Sequence, residues 1–517
     1  MKLMRGFVAV MSMALVPFVA SADYLNTTFT FSNQTTTADT RVLLLPQFEG
    51  EVSEQGWPTG LSAETVRHLN RAIQAGDFSG KEKQQLEVIA PAGLEELRLL
   101  LVGVGAADSV TRATAEEIGA ALSVYFNRVK SEQVLVDTRA IDAAEHNARI
   151  TAAVAHGVDL RNYRFDRYKS KPADRPAQTV HWQVVNNSDA QQQYAAKRAL
   201  AEGVFLAREL TNLPGSDGYP ARFAEIARQQ LEPLGVEVTI LGPEQVKELG
   251  MGSLYSVSQG SQHKAHLLVA HWKGSDDQPI AFVGKGNTFD TGGYNLKTAA
   301  ASILLMQTDK AGGAAVVGAV KALAGERAPV NVVGVVPLSL NMISGEATLP
   351  GDVVTAGNGT TIEVGNTDAE GRLILADGIW YAREFFNPRA IADIATLTGA
   401  KVGALGTAYS AIFSDHDDIV ATLRQAGENT QELVWQLPLG PYPNIVSSRI
   451  ADMINTGSPG AQAGAIFLQH FAGDTPWVHI DMAGNALNQS ASGIHPEGAT
   501  GYGVRLLAEW AKLYSAQ

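Results

Sequence analysis

Cysteine is absent from this chain of 517 residues, which excludes disulfides, thiolate nucleophiles and zinc-thiolate sites. Positive charge is also scarce. With 40 Lys and Arg against 53 Asp and Glu, the formal charge is -13, and nucleic acid or an acidic membrane is disfavoured as a partner. Beyond one N-terminal run there is no apolar stretch fit to cross a bilayer. The G-x-G-x-x-G and Walker patterns are missing, and the eleven histidines form no H-E-x-x-H arrangement. Internal repeats and low-complexity tracts are missing too. What remains is a globular composition long enough for two domains, each with its own core.

The N-terminal run reads as a targeting segment. Lys2 and Arg5 precede an apolar stretch from Gly6 to Val19, interrupted by Pro17, and Ala20-Ser21-Ala22 is a small-residue cleavage pattern. The expectation is a signal peptide over 1–22, cleaved after Ala22. It implies a secreted protein, in a bacterial periplasm, with no membrane segment left.

Strand-like and helix-like segments then alternate, the mark of an α/β fold. Thr27 to Phe31 alternates as a strand does, and Val42 to Leu45 and Leu97 to Val104 read as buried strands. Residues 62–75 and Thr111 to Lys130 carry helical spacing. An alanine-rich helix is expected from Gln191 to Asn212, ended by Pro214-Gly215. Five further strands are expected at Val236 to Leu241, His266 to His271, Ile280 to Val283, Val330 to Val336 and Ile391 to Ala395. The expected organisation is a smaller N-terminal α/β domain over 23–190 and a larger C-terminal domain over 191–517. In the latter a central mixed sheet is covered by helices on both faces.

Two charged, glycine-rich segments break this apolar pattern, GKGNTFDTGGYNLK (Gly284 to Lys297) and GNTDAEGR (Gly365 to Arg372). The first follows the apolar run Ile280 to Val283, so it reads as a loop at a strand's carboxyl end, where open α/β sheets place their chemistry. Asp368 and Glu370 stand two apart in what reads as extended chain, so both carboxylates can point the same way. Arg372 lies near the start of an expected helix, Leu373 to Phe385, where its charge and free backbone N–H groups suit a small anion. Asp290, Asp368 and Glu370 are hard oxygen donors, and carboxylates crowded together need a cation or a proton. A pair of divalent ions sharing them fits. Turn-forming carboxylates in glycine-rich loops are the ordinary alternative.

These segments, together with NMISG (Asn341 to Gly345), PGD (Pro350 to Asp352), ATLTGA (Ala395 to Ala400) and HIDMAG (His479 to Gly484), make the chain resemble the leucyl aminopeptidase family. These are the M17 two-metal exopeptidases, and the resemblance runs over nearly everything after residue 40. It implies a helix joining two domains, over 191–212 here. It implies that Lys285, Asp290, Asp309 and Glu370 hold one metal and Asp290, Asp368 and Glu370 the other, with zinc or manganese as the ions. Lys285 would then have to be a neutral amine, a state that two dications and burial both favour. By the same resemblance Lys297 polarises the substrate carbonyl, and Arg372 holds a bicarbonate that takes the proton of a metal-bridging water. Met306, Thr396 and Ala483 are the expected side-chain pocket, and Leu397 offers a carbonyl to the substrate amine.

One departure stands out. The family's spacing for the fourth carboxylate falls on Thr308, and Asp309 comes one position later, followed by Lys310. A single inserted residue within Thr298 to Leu305 restores the register, so Asp309 is kept as a ligand, with a positive charge beside it. The expected function is removal of an N-terminal, leucine-like residue from peptides by a metal-bridged hydroxide, in a homohexamer. A catalytically impaired structural or binding homologue is the alternative, and nucleic-acid binding is opposed by the charge. His479, in an expected strand, reads as a satisfied core histidine.

Overall fold

The computed structural model describes residues 26–517 apart from 54, 55, 59, 142, 143, 173 and 175. The segment 1–22 read as a signal peptide lies outside the described residues.

Six strands make the first sheet: β1 (Thr27–Ser32), β2 (Thr40–Leu45), β3 (Gln85–Ile89), β4 (Arg98–Gly103), β5 (Gln133–Asp137) and β6 (Gln178–Gln183). Their order is β1-β6-β5-β2-β4-β3, parallel except where β3 meets β4. Because side chains alternate along a strand, β2 feeds two cores. Val42 and Leu44 pack with helices Arg112–Val129 and Ala144–Asn162, whereas Leu43 and Leu45 pack with helix Ala63–Ala75. A strand buried on both faces has no polar face to show, which is why it reads as a continuous apolar run. Leu97, expected inside such a strand, falls just before β4 and is 71% exposed.

Helix Asn187–Asn212 starts four residues earlier than the alanine pattern suggested. Its start is fixed by Asn186, whose side-chain oxygen accepts from the Asp189 N–H at 3.3 Å, an ordinary N-cap. The first turns pack on the first domain, where the Tyr194 hydroxyl donates to Asp159 at 2.6 Å. From Leu200 onwards the helix joins the core of the larger domain.

The second sheet contains β7 (Glu237–Leu241), β8 (His266–Lys273), β9 (Ile280–Gly284), β10 (Gly286–Asp290) and β11 (Asn331–Asn341). Short strands β12 (Val353–Thr355) and β13 (Thr361–Glu363) follow. After them come β14 (Ala390–Ala395), β15 (Ser410–Phe413), β16 (Val434–Gln436), β17 (Met453–Ile454) and β18 (Trp477–Asp481). The order is β16-β15-β18-β14-β9-β11-β8-β7, with β10 paired to β11 off this path. Antiparallel pairs β8–β11 and β15–β18 flank a parallel centre, so the sheet is mixed as expected.

Both faces are covered. Ile280 and Phe282 join the core under helices Asn187–Asn212, Ala311–Glu326 and Val504–Ser515. Ala281 and Val283 face helices Gly252–Ser258, Glu370–Phe386 and Gly460–Ala472. Strands β12, β13 and β17 form a separate small sheet. It sets Asn455, next after β17, against the chain at 365–366, where its side-chain oxygen accepts from Gly365 and Asn366 N–H at 2.9 and 3.2 Å.

Close approach of helix Ala311–Glu326 to the sheet depends on its glycines. A Cβ on Gly312 would lie 2.1 Å from the carbonyl oxygen of Ile394, and the Gly313 N–H donates to the backbone carbonyl of Lys285 at 2.7 Å. Gly312→Ala should therefore push the helix off β14 and lower stability by about 1–3 kcal/mol, the usual range for overpacking a filled interior. Urea denaturation checks it, and an unchanged midpoint contradicts this seating of the helix.

Candidate metal centre

The carboxyl ends of the central strands converge on one charged cluster. Lys285 sits between β9 and β10, Asn341 ends β11, Thr396 follows β14 and Asp481 ends β18. This is the edge where an open α/β sheet offers a crevice. Asp290 ends β10, whose pairing with β11 shifts register between Asn287 and Asp290. Such an irregularity re-aims a side chain, and here it turns Asp290 to where Asn341 donates to one of its oxygens at 2.8 Å and the Gly292 N–H donates at 3.0 Å.

Asp290, Asp368 and Glu370 each bring one carboxylate oxygen into a group no more than 4.8 Å across. Glu370 does not lie in extended chain as expected; it opens helix Glu370–Phe386, where the helix dipole favours a negative charge. Its carboxylate accepts from Lys285 at 2.8 Å and from the Asn287 side-chain amide at 3.2 Å. Asp309, in the short 3-10 turn Met306–Lys310, accepts from Lys285 at 2.7 Å, Thr396 Oγ1 at 2.8 Å and Asn287 at 2.9 Å. The shifted spacing thus still brings Asp309 to the cluster. Lys310 faces the other way, and its ammonium donates to the carbonyls of Leu213, Thr288 and Gln307 at 2.8, 3.2 and 2.8 Å. The positive charge expected beside Asp309 is turned from the acids, and burial pulls its pKa down to about 7.

Two ammonium groups hold the acids together. Lys285 joins Asp309 to Glu370, and Lys297 joins Asp290, at 2.7 Å, to Asp368. Burial opposes the charge on Lys285, but Asp309, Glu370 and Asp290 outweigh it and raise its pKa; burial likewise opposes that of Lys297, and Asp290 outweighs it. Among the acids, burial and the neighbouring Glu370 push Asp290 up to about 6. Burial also lifts Asp309 well above the usual carboxylate range, against the pull of Lys285. Asp368 is raised by burial, whereas in Glu370 the attraction of Lys285 overcomes burial and lowers the pKa. Acids this close either keep protons or take cations. Their all-oxygen donor set suits small divalent ions, so the residues present fit the metals the resemblance implies.

A cavity of about 940 Å³ opens on this cluster. Lys285, Asp290, Lys297, Asp309 and Asp368 line one part of it, and Met306, Thr396, Leu397 and Ala483 line it with them. Met306 is a partly exposed residue of this cavity. Arg372 stands apart from that lining. Its guanidinium, 8% exposed, donates to the carbonyls of Asn455 and Gly460, and burial lowers its pKa. His479 is in the core as expected but only half satisfied: Nδ1 bonds Asp393 at 2.6 Å, whereas the buried Nε2 meets no partner among the described residues.

Three residues of the cluster went unread in the sequence. Asn287 donates to both Asp309 and Glu370, and its place two residues after Lys285 in extended chain was the available signal. Asn341, inside a quoted motif, joins Asp290 to the Thr367 carbonyl, at 2.8 and 3.0 Å. Asp481, in another, accepts from the backbone N–H of Leu397 at 3.2 Å and of Ala483 at 3.1 Å.

Comparison with known proteins agrees with this geometry. The family model for the cytosol aminopeptidase family, catalytic domain, matches residues 205–508, and that for the family's N-terminal domain matches 44–172. A probable cytosol aminopeptidase 1 of Shewanella oneidensis is 45% identical over 461 residues, 88% of this chain and 91% of the relative. A probable cytosol aminopeptidase of Agrobacterium fabrum is 41% identical over 456 residues, 86% of this chain and 91% of the relative. Among solved structures, a mutant of tomato leucine aminopeptidase superposes with a TM-score of 0.82 at 31% identity, covering 95% of this chain and 97% of that one. The bottromycin maturation enzyme BotP in complex with Mn gives 0.80 at 30% identity, covering 93% of this chain and 100% of that one.

These names correct one expectation. Relatives similar along most of the chain are named cytosol aminopeptidases, which points to the cytoplasm and overturns the reading of a secreted, periplasmic protein. With both of its domains matched and relatives above 40% identity over most of its length, the chain belongs to the cytosol aminopeptidase family and is a metal-dependent aminopeptidase.

Proposed function

We propose that this chain removes leucine-like residues from the free N-terminus of peptides with two divalent ions, zinc or manganese, per subunit. The observation that carries this is the approach of Asp290, Asp368 and Glu370 oxygens to within 4.8 Å of one another, with Asp309 tied to Glu370 through Lys285. Asp290, Asp309 and Glu370 would hold one ion and Asp290, Asp368 and Glu370 the other. Lys285, an ammonium paired with Asp309 and Glu370 in the absence of ions, would join the first only after giving up its proton to make room for the cation. When bound, the pair would supply Lewis acidity for the scissile carbonyl, acidify the attacking water and attract the substrate amine.

The chain's own groups do the rest. Lys297, held by Asp290 and Asp368 and lining the cavity with them, would polarise the carbonyl oxygen and stabilise the charge that develops on it. The Leu397 carbonyl would accept from the α-amine, and this requirement for a free amine makes the activity an exopeptidase one. Met306, Thr396 and Ala483, on the same cavity, would receive the N-terminal side chain. Arg372 would hold bicarbonate as proton acceptor, since its five N–H donors outnumber the two carbonyls it meets. The impaired-homologue reading loses its motive, because Asp309 reaches the cluster and Lys310 turns away.

In this reading the chain divides near residue 190, into 23–190 and 191–517 with 191–212 as the linking helix. The change of core along helix Asn187–Asn212 supports that division. A homohexamer is part of the same reading. Exposed apolar side chains such as Leu296, Leu304, Ile343, Leu349 and Ile450 support burial of a face against other copies; a monomeric mass by light scattering would remove it.

Metal binding is tested first by melting. Chelator-treated protein should gain stability when Mn2+ or Zn2+ is restored, about 2.7 kcal/mol with the free ion at about 100 times its Kd. Asp290→Ala, which removes a ligand to both ions, should lose most of that gain. Activity is tested on Leu-p-nitroanilide with metal-loaded protein. Lys297→Ala should lower kcat by about 100-fold to 1000-fold, and Asp368→Ala should abolish turnover; full activity in either removes the assignment.

A further inference from the structure

The cavity has two facing walls, and one buried lysine ties them together. Gly399, Val402, Thr407 and Ala408 line it from helix Gly399–Leu405 and the turn after it; Ala483, Gly484 and Asn485 line it from the loop after β18. Lys401, on that helix, has 0% exposure and is among the largest fully buried side chains. Its ammonium donates to the carbonyl of Gly406 at 3.0 Å, to the carbonyl of Ala483 at 2.8 Å, and to Asn485 Oδ1. Asn485 returns a bond to the Thr407 carbonyl at 2.9 Å.

Asp481 works from the other side. It accepts from Leu397 and Ala483 N–H, and from Thr398 Oγ1 at 2.6 Å. Gly484, next after Ala483, has φ +83, and a Cβ there would stand 3.2 Å from Val402 Cγ2, so the loop after β18 passes close to Val402 beside the cavity. An ammonium has three donors, and Lys401 meets three oxygens, all uncharged. An apolar residue at this position would leave those oxygens, on both walls, without their donor.

We propose that Lys401 is a positioning residue that fixes the width of the pocket for the substrate's N-terminal side chain, and so the preference for a long apolar residue over alanine. The inference rests on reading this cavity as that pocket. By locking Ala483 and Val402 at one separation, the clamp lets a branched aliphatic chain touch both walls, whereas the methyl of alanine reaches neither.

The test compares wild type with Lys401→Met and Lys401→Gln in Mn2+-loaded protein, using Leu- and Ala-p-nitroanilide. Lys401→Met should lower the Leu-to-Ala ratio of kcat/KM about tenfold, within the span that pocket contacts command. The change should lie in KM for the leucine substrate, with alanine turnover little altered. Lys401→Gln, which keeps an N–H donor, should recover part of the ratio. Calorimetric binding of free L-leucine and L-alanine reads the same pocket without turnover. A narrowed ratio in binding by a protein that cleaves neither substrate supports the clamp and removes the peptidase reading alone. An unchanged ratio in both measurements overturns the clamp.

Wild type supplies a measurement independent of whether the variants fold. Burial lowers the Lys401 pKa to about 8, with Asp481 the charged group opposing that shift. Above it the neutral amine has too few N–H groups for three acceptors. The leucine-to-alanine binding ratio should therefore fall from about pH 6 to about pH 10, since titration of the α-amine is common to both ligands and cancels. A ratio constant with pH, with variants that fail to fold, also overturns the proposal.

Discussion

Mutual repulsion among four carboxylates is the constraint that the rest of this structure answers. Asp290, Asp309 and Glu370 are buried and Asp368 is partly so, and they meet only two ammonium groups, Lys285 and Lys297. Two negative charges stay uncompensated if every acid ionises. At about 4 Å each like-charge contact costs about 4 kcal/mol at the effective dielectric of a protein surface. The cluster relieves this by holding a proton on Asp309, which burial lifts well above the usual carboxylate range, and in mild acid on Asp290, pushed up to about 6, or by taking cations. A peptidase that works near neutral pH has use for the second solution, since the ions that relieve the acids also acidify water.

The fold serves this crowding by supplying rigid backbone at short range. Parallel strands β9, β14 and β18 end side by side, so Lys285, Thr396 and Asp481 arrive at one edge from distant parts of the chain. Helix Ala311–Glu326 follows Asp309 directly, and Gly312 and Gly313 let it lie against the strand ends. The small sheet of β12, β13 and β17 fixes the approach of Asp368 through Asn455. Removing any one of these supports would move an acid without touching it, which is how a site assembled from loops stays ordered.

Much of this was legible because the signals were local. An apolar run followed by glycines and acids marks the end of a buried strand, as the segment after β9 does; GNTDAEGR instead joins the short strand β13 to helix Glu370–Phe386. The less local facts were hidden. Gly371 and the acid-rich loop before it argued against a helix beginning at Glu370, since glycine is poor in a helix interior; tertiary packing and the bond to Lys285 override that. Asn186 capped a helix whose alanine pattern starts later. The direction of a side chain was beyond reach altogether: Arg372 and Lys310 both bond carbonyls away from the cavity lining. The N-terminal run carries a charge-then-apolar pattern that composition alone reads as an export signal, and relatives named for the cytosol overrule it.

Four lysines, Lys285, Lys310 and Lys401 buried and Lys297 partly so, sorted by what they bond, map the electrostatics of the site more sharply than the acids do. Lys285 and Lys297 meet carboxylates, and their pKa values rise despite burial. Lys310 and Lys401 meet only uncharged oxygens, and burial lowers theirs to about 7 and about 8. The boundary between the two pairs is therefore the boundary of the negative field. Lysines inside it stand where cations would be attracted, and so are the ones that ligation or substrate polarisation can use. Those outside it feel Asp309 and Asp481 too weakly to outweigh burial, and their three-donor geometry is employed on uncharged oxygens instead. Lys310 fastens the turn that carries Asp309 to the end of helix Asn187–Asn212, through Gln307 and Leu213. Lys401 fastens the two walls of the cavity. One residue type thus supplies both the chemistry and the frame around it, and the partner oxygen, charged or neutral, decides which.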